Sequence, residues 1–399
     1  MIMEEVLDDV LLHLTNDKVK VVLFMIKDRI RVLQFPIKST KCGITRYVLN
    51  NWNFIDKKIF QFDFATMSKQ LDFENELIQQ GCKVLHIQNY AEHDANKFYD
   101  EFRSILKQGH YDIVHLHTSF WKSLWAERAI LDDGGAKMVI HAHNTNVQGE
   151  QEDERYHVME RHINIRNSLR EDENAGYWAC SKMAADFLFG DRIQSNRVRI
   201  MHNAIDLERF SFKISSRLQL RRELGITDSD YVVGHVGEFV YQKNQDFLLK
   251  IFKKIKPVFP NLKLMLVGKG KQLEYCRQYV KELGLENTVI FTGYRDDIER
   301  VLCAFDLFVL PSRFEGLAFV LIEAQANGLM CYASDTTSRE SKVSSNVEYL
   351  PLNEEIWIDK IVKAYHLNFS RENNISQIAN AGYDIHKQIK IVEHEYCSL

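Results

Sequence analysis

The sequence lacks the features of a membrane-spanning, secreted or nucleic-acid-binding protein. No apolar run approaches the ~18 residues that a membrane span needs. The longest candidates, Val19 to Ile26 and Val301 to Leu310, carry Lys20 and Asp306. Proline is scarce, 5 in 399 residues, and 45% of the chain is apolar, which excludes a disordered chain. The formal net charge of −4 gives no general drive toward nucleic acid. Seven cysteines form no C-x-x-C pair and their number is odd. Reduced thiols in a cytoplasmic protein fit that pattern better than disulfides or a cysteine zinc site. Glu4, Glu5, Asp8 and Asp9 carry the wrong charge for a secretory signal. A dinucleotide fingerprint is incomplete: Leu273 stands where a third glycine would follow Gly268-Lys269-Gly270. The next strand ends in Thr292-Gly293-Tyr294 and not in an acid, which disfavours a dehydrogenase.

What is present is a regular alternation of strand and helix patterns from about Arg29 onward. Strand-like runs are Ile30–Phe35, Ile59–Phe64, Lys83–Ile87, Ile113–Leu116, Lys137–Ala142, Gly176–Cys180 and Val198–Met201. A second series comprises Tyr231–Val236, Leu262–Val267, Val289–Phe291 and Phe305–Leu310, with helical patterns such as Asn244–Ile255 and Gln272–Glu282 between. Alternation of this kind means parallel sheets covered on both faces. Two such series predict an α/β protein of two doubly wound, Rossmann-like domains facing across a cleft. The expected division is 1–24 as an extension, 25–205 and 206–380 as the two domains, and 381–399 as a helix returning to the first. The extension reads as an added helix or as an upstream start preceding Met25. Asp206 to Ser216 breaks the alternation and reads as the linker.

The stretch from Phe305 to Gly328 carries the most chemistry. A buried strand stops at Pro311 and Ser312, and a helical pattern runs from Ala318 to Asn327 before Gly328. Glu315 therefore falls in the loop at the carboxyl end of a strand, where open α/β sheets place ligands. Glu323, about two turns along, can reach back to the same crevice, and the amides of Gly316 and Leu317 can receive an anion. These groups suit a ligand with hydroxyls and phosphates, such as a nucleotide sugar. Lys243 follows the strand Tyr231–Val236 and opens the helix at Asn244, a suitable diphosphate clamp.

Gly43 precedes a helix from Ile44 to Asn51; it either lets backbone approach a phosphate or merely makes a turn. His117 ends a strand at the crevice edge, able to bond a sugar hydroxyl or stabilise phosphate charge. His115 is read as pointing the other way, into the core. His141 and His143 share a face at the end of another strand. No acidic or cysteine partners can be placed beside these histidines, so no metal is assigned. Arg155, Arg161, Arg166 and Arg170 read as a solvated face or as contacts for an anionic diphosphate or membrane surface.

Several of these motifs stand together in one order. They are Cys42-Gly43-Ile44, Val114-His115-Leu116-His117, His141-Ala142-His143-Asn144, Ser181-Lys182, Asn203-Ala204-Ile205-Asp206, Val236-Gly237-Glu238 with Lys243-Asn244, Gly268-Lys269-Gly270, and Glu315 with Glu323. From about Arg29 to its end the chain resembles the large retaining glycosyltransferase family 4, of GT-B architecture, nearer its bacterial exopolysaccharide and capsule enzymes. The resemblance implies transfer from a nucleotide-diphosphate sugar to a hydroxyl of a lipid-linked polysaccharide precursor, with retention and with no metal or other cofactor. It implies Lys243 on the diphosphate beside Gly43, Gly316 and Leu317, and Glu315 on the donor sugar. It also implies Glu323 on the ribose hydroxyls, His117 on the sugar or its phosphate, Tyr294 near the base, and His143 with Asn144 on the acceptor side.

One position departs: where the family has an arginine five residues before Lys243, this chain has Glu238. A charge pair at ~4 Å and an effective dielectric near 20 is worth ~4 kcal/mol, so the exchange reverses a large contribution. Either Glu238 turns away while Arg313 or Lys269 compensates, or the donor contact weakens. A nucleotide-sugar 2-epimerase of the same fold and a non-catalytic scaffold stay open as alternatives. A metal-dependent GT-A transferase is disfavoured, because the one Asp-x-Asp triplet, Asp228-Ser229-Asp230, precedes a strand. Expected partners are a nucleotide-sugar donor and a lipid-linked oligosaccharide acceptor, without nucleic acid. The expected location is cytoplasmic, with peripheral contact on the inner face of the membrane left open.

Overall fold

The computed structural model describes residues 29–399 apart from Cys42, Glu150 and Asn368. The extension expected over 1–24 lies outside the described residues, as does Cys42. Strands β1 (Ile30–Ile37), β2 (Phe60–Thr66), β3 (Val84–His86), β4 (Ile113–Thr118), β5 (Lys137–Ala142), β6 (Ala175–Ala179) and β7 (Val198–Ile200) form one sheet, ordered β3-β2-β1-β4-β5-β6-β7. A second sheet holds β8 (Tyr231–Val236), β9 (Leu262–Val267), β10 (Val289–Gly293), β11 (Leu307–Leu310), β12 (Met330–Ser334) and β13 (Val347–Leu350), ordered β10-β9-β8-β11-β12-β13. Every strand pair is parallel. Helices on both faces bury the strands, and β2 is buried along its whole length, Asp63 included. Among the described residues no helix is long and apolar enough to cross a membrane.

β11 starts at Leu307, two residues later than expected, because Phe305 ends the preceding helix and Asp306 is diverted. The Asp306 carboxylate takes Arg217 at 2.6 Å, Arg221 at 3.2 Å and the Val232 amide at 2.7 Å. The stretch expected as linker contains the helix Leu207–Phe210 and the start of the helix Ile214–Glu223. The last helix, Ile385–Ser398, lies against the first sheet. Its Tyr396 ring stacks on Trp178 with centroids 5.1 Å apart, and Glu393 accepts the Asp56 amide at 2.9 Å.

Candidate active site

Strand order locates the crevices. The winding direction reverses between β1 and β4 in the first sheet and between β8 and β11 in the second. At such switch points the connections leave in opposite directions and a cleft opens at the carboxyl ends of the strands. After β8 a short turn, Tyr241–Lys243, leads to Asn244, whose left-handed φ of 59° redirects the chain into the helix Gln245–Ile255. Asn244 Nδ2 donates to the Pro311 carbonyl at 3.0 Å and so ties this turn to the end of β11. Lys243 Nζ consequently stands 2.5 Å from Glu315 Oε1, and Gln242 Nε2 donates to Oε2 at 3.3 Å. The lysine and glutamate side chains are 17% and 8% exposed, so their charge-assisted contact is shielded from bulk water.

The first domain grips the Glu315 loop. Ser181 Oγ donates to the Gly316 carbonyl and Asn203 Nδ2 to the Leu317 carbonyl, each at 2.9 Å. A Cβ on Gly316 would stand 2.4 Å from the His143 carbonyl oxygen, so only glycine permits this approach. Gly43 needs glycine for a different reason. Its φ of 53° and ψ of −123° are closed to other residues, while a Cβ there would meet nothing within 4 Å.

Gly43 leads into the helix Ile44–Phe54, whose Arg46 crosses to Glu323. Arg46 Nη1 donates to Oε2 at 3.3 Å, and Nη2 closes on Oε1 as an ion contact. Glu323 is fully buried; burial pushes its carboxyl above the ordinary range, with the Arg46 guanidinium pulling against it. The sequence pattern lets Glu323 reach back toward the crevice, and gives no sign of its partner Arg46. The two lie 277 positions apart, and no local pattern joins them.

The histidines also differ from expectation. His115 and His117 point to the same face of β4, as a period of two requires, with ring centroids 4.1 Å apart. The expectation that His115 points away is therefore corrected, although it is indeed a core residue. His117 is 3% exposed and lies one layer behind the crevice edge. Its Nε2 meets Gln34 Oε1 at 2.8 Å and its Nδ1 meets His143 Nε2 at 2.9 Å. His143 is half-buried beside the Glu315 loop and is the histidine nearer the cleft. Behind them His115 Nδ1 meets the Tyr396 hydroxyl at 2.6 Å, and its Nε2 meets His141 Nδ1 at 3.2 Å. Burial holds His115, His117 and His141 well below the ordinary histidine value and His143 down to about 3, so all four are neutral. Ring nitrogens of His115, His117 and His141 lie within 4.8 Å of one another, close enough for a metal ion. Both nitrogens of His115 and of His117 are already committed to protein hydrogen bonds, however, so the set is a relay and not an open ligand set.

Lys269, Tyr294 and Arg313 sit elsewhere than on the Lys243–Glu315 pair. Lys269 Nζ spans the domains to Asp72 Oδ2 at 3.0 Å and lies over the Tyr294 ring at 4.9 Å. Arg313 donates to the Tyr241 carbonyl at 2.5 Å and to Asp246 at 3.4 Å. Its guanidinium covers one aromatic contact of Tyr241 at 4.2 Å, while Arg155 of the first domain stacks on the same ring at 3.8 Å. Glu238 is exposed and lines a cavity of about 460 Å³ between the domains, together with Lys38, Trp121, Arg161 and Lys271. Lys122, Glu92 and Glu154 line it as well, so the space that Glu238 faces carries charges of both signs.

Residues 42–209 match the family described as Glycosyltransferase Family 4, and residues 216–379 match Glycosyl transferases group 1. EpsF of Bacillus subtilis (strain 168), named provisionally as a glycosyltransferase, is 29% identical over 363 residues, 89% of this chain and 93% of that protein. The UDP-Gal:alpha-D-GlcNAc-diphosphoundecaprenol alpha-1,3-galactosyltransferase of Escherichia coli is 27% identical over 212 residues, 51% of this chain and 54% of that protein. HepE of Anabaena, solved with UDP and glucose, superposes with a TM-score of 0.75 at 19% identity, over 93% of this chain and 100% of that one. The architecture is the GT-B fold, two Rossmann-like domains around a cleft.

Proposed function

We propose, on the premise that this chain joins a Glycosyltransferase Family 4 domain to a Glycosyl transferases group 1 domain, that it transfers sugar from a nucleotide-diphosphate sugar to a lipid-linked polysaccharide precursor, retaining anomeric configuration and needing no metal. The observation that carries this reading is the Lys243–Glu315 contact at the second switch point, in a loop whose Gly316 packs on the His143 carbonyl of the first domain. A donor diphosphate entering the crevice competes with Glu315 for the Lys243 ammonium. Glu315, released from that contact, accepts hydrogen bonds from the sugar hydroxyls. The bond from the anomeric carbon to the diphosphate breaks, the acceptor oxygen bonds to that carbon, and the hydroxyl proton passes to the leaving diphosphate. Lys243 stabilises the charge that develops on the leaving group. His143, neutral and at the cleft wall, takes the sugar-contacting place that sequence reasoning gave to His117. Glu323 acts from behind, paired with Arg46, and does not itself face the nucleotide in this arrangement.

The lipid-linked acceptor is supported by the E. coli relative, named for a diphosphoundecaprenol acceptor. Work in the cytoplasm, against the inner membrane face and in exopolysaccharide or capsule synthesis, follows from that acceptor. A panel of nucleotide sugars, assayed for nucleoside diphosphate release with and without extracted lipid-linked acceptors, tests the reading. Release that depends on the acceptor supports it. Conversion of the donor to a 2-epimer without acceptor would move the assignment to an epimerase. A second reading, a scaffold without catalysis, draws on exposed Glu238 in the cleft; failure of every nucleotide sugar to bind would favour it.

A further inference from the structure

The residue before Lys243 fastens its turn to the Glu315 loop. The Gln242 carbonyl accepts the Arg313 amide at 2.8 Å. Its side-chain Nε2 donates to the Phe314 carbonyl at 3.0 Å and to Glu315 Oε2 at 3.3 Å. Both partners are acceptors, a peptide carbonyl and an ion-paired carboxylate. Only the NH2 end of the amide can face them, and both of its hydrogens are used. Oε1 is left for the first domain, where Gln148 Nε2 donates to it at 3.3 Å. Gln242 is 8% exposed, so its bonds to the Glu315 loop are sheltered from bulk water. The neighbouring Tyr241 is gripped by the same stretch of the first domain. Arg155 stacks on its ring at 3.8 Å and donates from Nη1 to the carbonyl of Gly149, next to Gln148, at 3.1 Å.

We infer that Gln242 is a positioning residue: it holds one oxygen of Glu315 so that the other serves the sugar once Lys243 is drawn to the diphosphate, and Gln148 ties that hold to the first domain. The Glu315 carboxylate has two side-chain anchors, Lys243 on Oε1 at 2.5 Å and Gln242 on Oε2. A diphosphate competes for the ammonium and removes the first anchor. Gln242 is neutral, with both hydrogens engaged on Phe314 and Glu315, and the second anchor stays. A glutamate freed from both would turn among its rotamers and offer the sugar hydroxyls no fixed acceptor. If the first domain draws back, Gln242 Oε1 loses its donor, so the anchor is complete only with the domains together. The catalytic consequence rests on the transferase reading; the anchoring does not.

Two readouts test this. The first needs no ligand: Lys243→Met imitates departure of the ammonium, and its crystal structure should keep the Glu315 carboxylate in the wild-type position. Adding Gln242→Met should turn the carboxylate away or spread it over several rotamers. A carboxylate displaced in Lys243→Met alone, or unmoved in the double variant, overturns the inference. The second readout is nucleoside diphosphate release, measured with the fastest donor of the nucleotide-sugar panel. Gln242→Met should lose about tenfold in kcat, the size of one hydrogen bond. The KM for donor should stay nearly constant, because the diphosphate contacts are untouched. Gln148 is exposed, so Gln148→Ala keeps the fold even where Gln242→Met does not. It should lower kcat in the same sense, and Gln148→Ala with Gln242→Met should be no weaker than Gln242→Met, since Gln148 acts only through Gln242. An unchanged kcat in either single variant, or losses that multiply, overturns the inference as well. Absence of turnover in the wild type would instead count against the transferase reading and leave the anchoring to be decided by the two crystal structures.

Discussion

Arg46→Ala isolates the contact that joins the two domains most deeply. Arg46 is 21% exposed and Glu323 not at all, so the variant leaves a carboxylate buried without its cation. Removing one partner of a buried ion pair typically costs about 3–5 kcal/mol. The partial exposure of Arg46 places this case near the lower figure. Because the pair bridges domains, the loss falls on the closed arrangement. A cost of about 3 kcal/mol moves the balance between closed and open forms by roughly a hundredfold. The pH dependence has a definite sign. Burial raises the folded-state value of Glu323 above its ordinary 4.5, so this group's contribution is fully present below 4.5 and is lost as pH rises through the raised value. Without Arg46 the upward shift grows, and the deficit against wild type should widen with pH across that window and then level off. Small-angle scattering for domain separation and thermal unfolding over a pH series measure both effects. Arg46→Ala combined with Glu323→Gln should recover most of the loss, since a neutral amide tolerates burial better than a lone carboxylate. A deficit below about 0.5 kcal/mol, or one independent of pH, refutes the reasoning. So does a double variant as weak as Arg46→Ala.

Three further outcomes follow from other parts of the site. Gly316→Ala places a Cβ 2.4 Å from the His143 carbonyl oxygen and must push the Glu315 loop off the first domain; about 1–3 kcal/mol of destabilisation and reduced turnover are expected, measured by thermal unfolding and donor kinetics. Glu238→Arg puts a cation where an exposed anion faces the interdomain cavity, and calorimetry should show tighter donor binding; unchanged affinity would mean that the position does not meet the diphosphate. The four relay histidines are neutral because burial depresses them, His143 to about 3. A pH–rate profile should therefore show no histidine step near 6.5, whereas stability should fall as pH drops below 6.5, where the unfolded chain takes up protons that the folded one refuses.

The double alternation of strand and helix was legible because each strand carries its own apolar run and each helix its own period. β12 and β13 carry weaker signals: Met330–Ser334 has no β-branched residue, and Val347–Leu350 is only four residues long. Lys243 and Glu315 were readable from their places after strands, since chain topology alone brings β8 beside β11. Arg46, Gln34 and Tyr396 were not. Their partners lie in other elements or in the opposite domain, and nothing in their own neighbourhoods encodes a contact 277 or 362 positions away. The shared face of His115 and His117, by contrast, is encoded locally, because residues two apart on a strand point the same way.

The claim that Lys243 and Glu315 form the donor end of a transferase site is tested most directly by the kinetics of Lys243→Ala. Measured as kcat/KM for nucleoside diphosphate release, the variant should lose roughly 2–4 kcal/mol of transition-state stabilisation, about thirtyfold to a thousandfold. Turnover close to that of the wild type would contradict the assignment.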